Sequence, residues 1–242
     1  MTNEVLIGPR GDHVLEIVLS QPERGNALSP AMADAIVGAI GTMPAGTRAV
    51  LVRAEGKDFC VGRTPVMPPP GSRATALDLR QLIADPVLDF YERLRSVPVP
   101  LIVAVQGRAL GVGCALAGLA DICIATQSAE FAVPEMDKDI APTLVMTALS
   151  DRLARANLAR LVLTRAPIAA AEAKAIGLIG MVCADDDLLH EADALLAKLR
   201  SNTVPVLSAV KTFLSRQGEM SPAARREAAA LINCVVTAER YR

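Results

Sequence analysis

The sequence predicts one α/β domain with a helical C-terminal part, on three observations. Hydrophobic residues make up 52% of the 242 residues, ample for one large core. Between Pro100 and Thr126 a buried strand, a glycine turn, a short apolar helix and a second strand follow one another closely. From Leu144 onward the pattern is mostly helical. Aromatic residues are only 2% and Trp is absent, so the core must be built from Ala, Leu, Val and Ile.

The elements follow in order. His13 to Ser20 alternates and ends at Pro22, a strand and turn. Ser29 as N-cap and Pro30 at the first position start a helix that runs to about Ile40. Arg48 to Ala54 is a short apolar strand, followed by a loop at Glu55 to Asp58. Pro65 to Ser72 holds four prolines and a glycine, which excludes a regular helix or central strand and predicts a surface loop. Ala76 to Arg95 has helical spacing with a kink expected at Pro86. Pro100 to Gln106 is a buried strand, Gly107 to Gly113 a turn, Cys114 to Ala120 a buried helix and Asp121 to Thr126 the next strand. One short strand, Ile179 to Cys183, and the acidic punctuation Asp185 to Asp187 interrupt the helical remainder. Residues 1–190 are expected to form the core domain and 191–242 a helical region, with no internal repeat.

Composition excludes several partners. The net charge of −1, from 25 basic and 26 acidic residues, leaves no nucleic-acid footprint. Scarce aromatics also disfavour base stacking. The longest apolar stretch, Val97 to Ala120, is broken by Pro98, Pro100, Gln106 and Arg108, so no membrane span is expected. The start Met1-Thr2-Asn3-Glu4 lacks the basic-then-apolar pattern of a signal peptide. Five scattered cysteines without metal-ligand spacing fit a reduced cytoplasm and no metal.

Three segments carry chemistry. They are Phe59-Cys60-Val61-Gly62-Arg63-Thr64, Gly107-Arg108-Ala109-Leu110-Gly111-Val112-Gly113-Cys114, and Phe131-Ala132-Val133-Pro134-Glu135. In the second, glycines allow close backbone approach to a ligand, and the first helix amides have no partner within the helix. A developing oxyanion fits there. The third places a carboxylate among Phe131, Val133 and Pro134, where desolvation raises its pKa toward the range of a proton shuttle. Taken alone, the glycines also fit a plain strand–helix turn. A dinucleotide fingerprint is disfavoured because Leu116 stands where a third small residue belongs.

In this order and spacing, and with Asn26-Ala27-Leu28-Ser29 before them, the segments resemble the crotonase (enoyl-CoA hydratase/isomerase) superfamily. The resemblance covers most of the chain and is strongest from about Ile17 to Pro134. It implies a core of stacked ββα turns wound as a spiral, with residues 191–242 as a trimerisation region and assembly as a homotrimer or hexamer. It implies an acyl-CoA thioester as substrate, coenzyme A arriving as part of it, and no further cofactor. Carried over by position, the oxyanion amides are those of Arg63 and Val112, flanked by Gly62 and Gly111, and the proton carrier is Glu135. Arg24, Asn26, Ala27, Gly62, Gly111 and Lys211 become candidate substrate contacts. For Arg24 a solvated side chain is an equal alternative, and for Lys211 an exposed helix charge is the favoured one.

The sequence also departs from the pattern. Arg63 stands where the family often has a small residue and Val112 where it often has Gly. Hydratases of this type carry two glutamates, and the position of the first is Ala115 here. With Glu135 alone, transfer of a proton between C2 and C4 is the simpler expectation, that of an enoyl-CoA isomerase. The alternatives are a hydratase or lyase that recruits another acid, and a non-catalytic acyl-CoA-binding subunit. Asp139 is a candidate second acid if a helix places it at i+4 from Glu135, with Asp137 beside it. For both, a solvated or structural role is the favoured reading. Cys60 and Cys114 are expected to pack rather than react, and His13 and His190 have no convincing partners. The Pro65–Gly71 loop is expected to help set the acyl specificity.

Overall fold

The computed structural model describes residues 4–69, 71–238 and 241. The chain opens with β1 (Val5–Pro9) and β2 (Val14–Leu19), then α1 (Pro30–Gly41) and β3 (Ala49–Ala54). Next come α2 (Ala76–Leu79) and α3 (Asp85–Arg95), β4 (Leu101–Val105), β5 (Arg108–Leu110), α4 (Val112–Leu119), β6 (Ile122–Thr126) and β7 (Glu130–Ala132). They are followed by α5 (Thr143–Leu149), α6 (Arg155–Thr164), β8 (Ile168–Ala169), α7 (Ala170–Ala175) and β9 (Met181–Cys183). Three helices close it: α8 (Leu188–Arg200), α9 (Val204–Arg216) and α10 (Pro222–Ala238).

Two sheets arise because β4 and β6 of the larger sheet are each followed by a short strand, β5 and β7, of a second one. β1-β2-β3-β4-β6-β9 form the larger sheet, parallel except for the β1–β2 pair. β5-β7-β8 form the smaller one. The bend from β4 into β5 falls at Gly107, whose φ is +57°. A side chain there would overlap the Lys57 carbonyl oxygen, so only glycine is accommodated. Repetition of long strand, short strand and helix gives the stacked ββα spiral.

Alternation along the strands divides the core. Leu101, Val103 and Val105 of β4 face the main cluster between sheet and helices, with Ile17, Val52 and Phe59. Ile102 and Ala104 face the other side, covered by Leu188, Ala192 and Leu196 of α8. Leu, Val, Ile and Ala supply most of both clusters.

Several expectations need correction. The 190/191 boundary falls inside α8, whose buried residues belong to the sheet's second layer. The Gly107–Gly113 segment is not all turn: β5 forms within it, paired through Ala109 to Phe131 and, by a bridge, to Cys60. Between α2 and α3, residues Arg80–Ala84 form a single π turn. It ends just before Pro86, which cannot donate to the preceding turn, so the helix widens there rather than breaking. Pro70 of the proline-rich loop and the Met1–Asn3 start lie outside the described residues. No helix among the described residues is long and apolar enough to cross a membrane.

Candidate active site

Three loops at the ends of β2, β3 and β4 are laced side by side. Gly25 O accepts from Val61 N and Gly62 O from Leu28 N, each at 2.9 Å. Leu28 O accepts from Thr64 N at 2.9 Å. On the other flank Cys60 O accepts from Leu110 N at 2.8 Å and Arg108 O from Cys60 N at 3.1 Å. The Asp58 carboxylate takes Arg108 Nε and Nη2 at 2.9 and 2.8 Å, a fork that holds its pKa below the usual range.

This lacing aims two amides outward. Leu28 bridges Arg63, but it uses the neighbouring Gly62 carbonyl and Thr64 amide, so the Arg63 N–H points away from it. Val112 is the first residue of α4, with no helical acceptor available. Among the described residues neither amide has an intramolecular acceptor. Arg63 and Val112 each lie three residues beyond the bridged residues Cys60 and Ala109, on adjoining segments. Together they can hold one oxyanion.

The carboxylate arrives from β7. Gly111 N donates to Ala132 O at 2.9 Å, tying the α4 entrance to the end of that strand. Two residues further, Pro134 turns the chain so that Glu135 opens a 3-10 turn, Glu135–Lys138. A Cβ on Gly111 would stand 2.5 Å from Glu135 Oε1, so the carboxyl group lies against the Gly111 backbone. Its Oε2 is buried and has no hydrogen-bond partner. Burial raises the Glu135 pKa, with its own backbone amide and Lys138 opposing. Ala115, one helical turn after Gly111, is fully buried and offers no second acid.

The other sequence candidates scatter. Asn26 is not a substrate contact: it is fully buried, its Oδ1 accepts from Gln21 N, and its Nδ2 donates to the carbonyls of Glu55 and Asp58. It locks the first loop to the second. Lys211 is neither exposed nor aimed at the site. Its Nζ lies 2.6 Å from Asp121 Oδ2, which also accepts from Leu101 N.

The expected pairing of Glu135 with Asp139 does not form. The turn ends after Lys138, Asp139 takes φ +55°, and the amides of Asp139 and Ile140 fold back onto Met136 O and Glu135 O. That is a Schellman-type stop, so no helix carries Asp139 to the i+4 face. Asp137 is exposed and pairs with Arg165 at 3.2 Å. Arg24 is exposed, Ala27 is half-buried, and Gly62 sits at φ +129° between the two bridged residues Cys60 and Arg63.

Burial pushes the Cys60 thiol up to about 11 and the Cys114 thiol up to about 12, so both are inert near neutrality. One site residue escaped the sequence reading. Tyr91 on α3 is 1% exposed. Burial, with the Glu135 charge adding to it and Arg63 opposing, raises its phenol pKa. Only its membership of a sparse set of aromatics marked it.

The two unpartnered amides thus flank the Gly111 backbone against which the desolvated Glu135 carboxylate lies. Residues 10–238 match the family described as enoyl-CoA hydratase/isomerase, and the chain belongs to that family. It is 29% identical to the 2,3-dehydroadipyl-CoA hydratase of Escherichia coli K12 over 219 residues, 89% of this chain and 84% of that protein. The fold superposes on the crystal structure of an enoyl-CoA hydratase from Mycobacterium smegmatis with a TM-score of 0.88 and 27% identity, covering 96% and 90% of the two chains. A Thermobifida fusca YX protein assigned as an enoyl-CoA hydratase, solved in complex with CoA, gives a TM-score of 0.87 and 27% identity over 98% and 94%. The crotonase fold and the enzyme class expected from the sequence are thus both borne out.

Proposed function

We propose that the chain is an enoyl-CoA isomerase that moves a double bond between C3 and C2 with one carboxylate. The single observation that carries this is the site's acid inventory: Glu135 lies against Gly111, and Ala115 stands where a second acid would lie. An acyl-CoA thioester enters with its carbonyl oxygen between the amides of Arg63 and Val112. Ionised Glu135 takes a proton from C2, electrons flow onto the thioester oxygen, and the enolate forms. Glu135, now neutral, returns the proton at C4, and the double bond shifts. The missing hydrogen-bond partner on Oε2 and the raised pKa suit a carboxylate that changes protonation state twice per turnover. Each amide donor is worth roughly 3–4 kcal/mol to such a transition state. Coenzyme A is carried by the substrate, as the CoA complex of the Thermobifida fusca protein suggests for a related fold.

Hydration is the second reading, favoured by the relatives' names, the Escherichia coli 2,3-dehydroadipyl-CoA hydratase among them. It asks one carboxylate to orient water and deliver a proton. We also infer self-association as a homotrimer or hexamer, because α10 buries no residue of its own while exposing Leu231 and Val235. Chromatography-resolved mass analysis of 3-enoyl-CoA and 2-enoyl-CoA incubations separates the two reactions. Isomerisation leaves mass unchanged and hydration adds one water.

A further inference from the structure

We propose that Arg63 makes this site selective for acyl-CoA thioesters whose acyl group carries a second, free carboxylate. The inference rests on the acyl-CoA reading above and narrows its substrate class. Arg63 contributes one of the two free amides, so its Cα stands beside the place of the thioester oxygen, anchored by the bridge to Leu28. From there the half-buried side chain runs toward α3. Its Nη1 reaches the Ile83 carbonyl in the π turn at 3.4 Å, the outer edge of a hydrogen bond. Among the described residues no carboxylate lies within ion-pair distance of the guanidinium.

A guanidinium stays charged throughout the accessible pH range, and a half-buried cation beside one neutral carbonyl is poorly compensated. Glu135 does not supply the missing charge. No ion pair between Glu135 and the guanidinium forms among the described residues. The buried ring of Tyr91 lies within the field of both groups. A planar fork with free donors matches a carboxylate in two-point contact. The guanidinium stands a side chain's length from the oxyanion amide, so the matching carboxylate belongs at the far end of the acyl chain.

The test is isothermal titration of the whole protein with adipyl-CoA and hexanoyl-CoA, which share a chain length, and with free CoA as reference. Wild type is expected to bind adipyl-CoA roughly tenfold or more tightly than hexanoyl-CoA, the worth of a hydrogen-bonded charge pair. Added salt should shrink that ratio. Arg63→Met should bring it close to one, and Arg63→Lys should keep part of it. Equal wild-type affinities, or a ratio unmoved by Arg63→Met, overturn the inference. If free CoA binds while the ratio is one, only the selectivity falls. If neither thioester nor CoA binds, the acyl-CoA reading falls with it. Should Arg63→Met fail to fold, the wild-type ratio and its salt dependence still decide.

Discussion

The Gly111 backbone and the Glu135 carboxyl group occupy adjoining space: a Cβ on the glycine would lie 2.5 Å from Oε1. Gly111 also has φ +53°, a left-handed value that an L side chain adopts only at a cost. The glycine therefore lets the chain turn into α4 with Val112 N–H free, and leaves room for the acid beside it.

Gly111→Ala should displace the carboxylate or the turn by a large fraction of an ångström. A misplacement of that size lowers kcat/KM by roughly a hundredfold. Stopped assays beside far-ultraviolet circular dichroism check this. An active, folded alanine variant would show that the packing of Glu135 against residue 111 is unimportant.

Glu135 titrates above the ordinary carboxylate range because it is buried. Two consequences follow with opposite signs. Activity needs the ionised form to take the first proton, so kcat/KM should rise as pH climbs through the raised pKa. Stability runs the other way, since the folded state holds this proton more tightly than the unfolded chain. The contribution is present below the unfolded pKa and is lost as pH rises through the folded one. Glu135→Gln should thus melt higher than wild type near neutrality, and the difference should vanish in acid. A Tm gap that instead widens in acid would contradict the burial assigned here.

Asn26→Ala removes three hydrogen bonds, one within the loop after β2 and two that tie it to the loop after β3. It should cost roughly 2–4 kcal/mol in urea unfolding. A variant of unchanged stability with lost substrate affinity would restore Asn26 as a direct contact.

Lys211→Met breaks a largely buried ion pair and strands Asp121. The expected cost is roughly 2–4 kcal/mol, toward the low end because Asp121 keeps some solvent. CoA affinity, read by titration, should not follow. A selective loss of CoA binding at full stability would place Lys211 at the nucleotide after all.

What the sequence disclosed was whatever depends on local pattern. Ser29 with Pro30 starts α1 as expected, the Ser29 hydroxyl accepting from Met32 N at 3.1 Å. The strand Pro100–Gln106 appears as β4 with its faces alternating. The segments around Arg63, Val112 and Glu135 converge because their register across β5 and β7 follows from motif order. Tertiary contacts were illegible. Nothing local says that Lys211 meets Asp121 ninety residues away, or that Asn26 spends its amide on Glu55 and Asp58. Asp139 was misplaced for a backbone reason. An aspartate in the left-handed region stopped a turn that spacing alone would have continued.

The most direct test of one-carboxylate chemistry is incubation of a 3-enoyl-CoA in deuterated water, resolved by chromatography and mass spectrometry, with wild type beside Glu135→Gln. Wild type is expected to give 2-enoyl-CoA with part of the original hydrogen carried from C2 to C4, and Glu135→Gln to give none. A product heavier by one water, or isomerisation that survives Glu135→Gln, would contradict it.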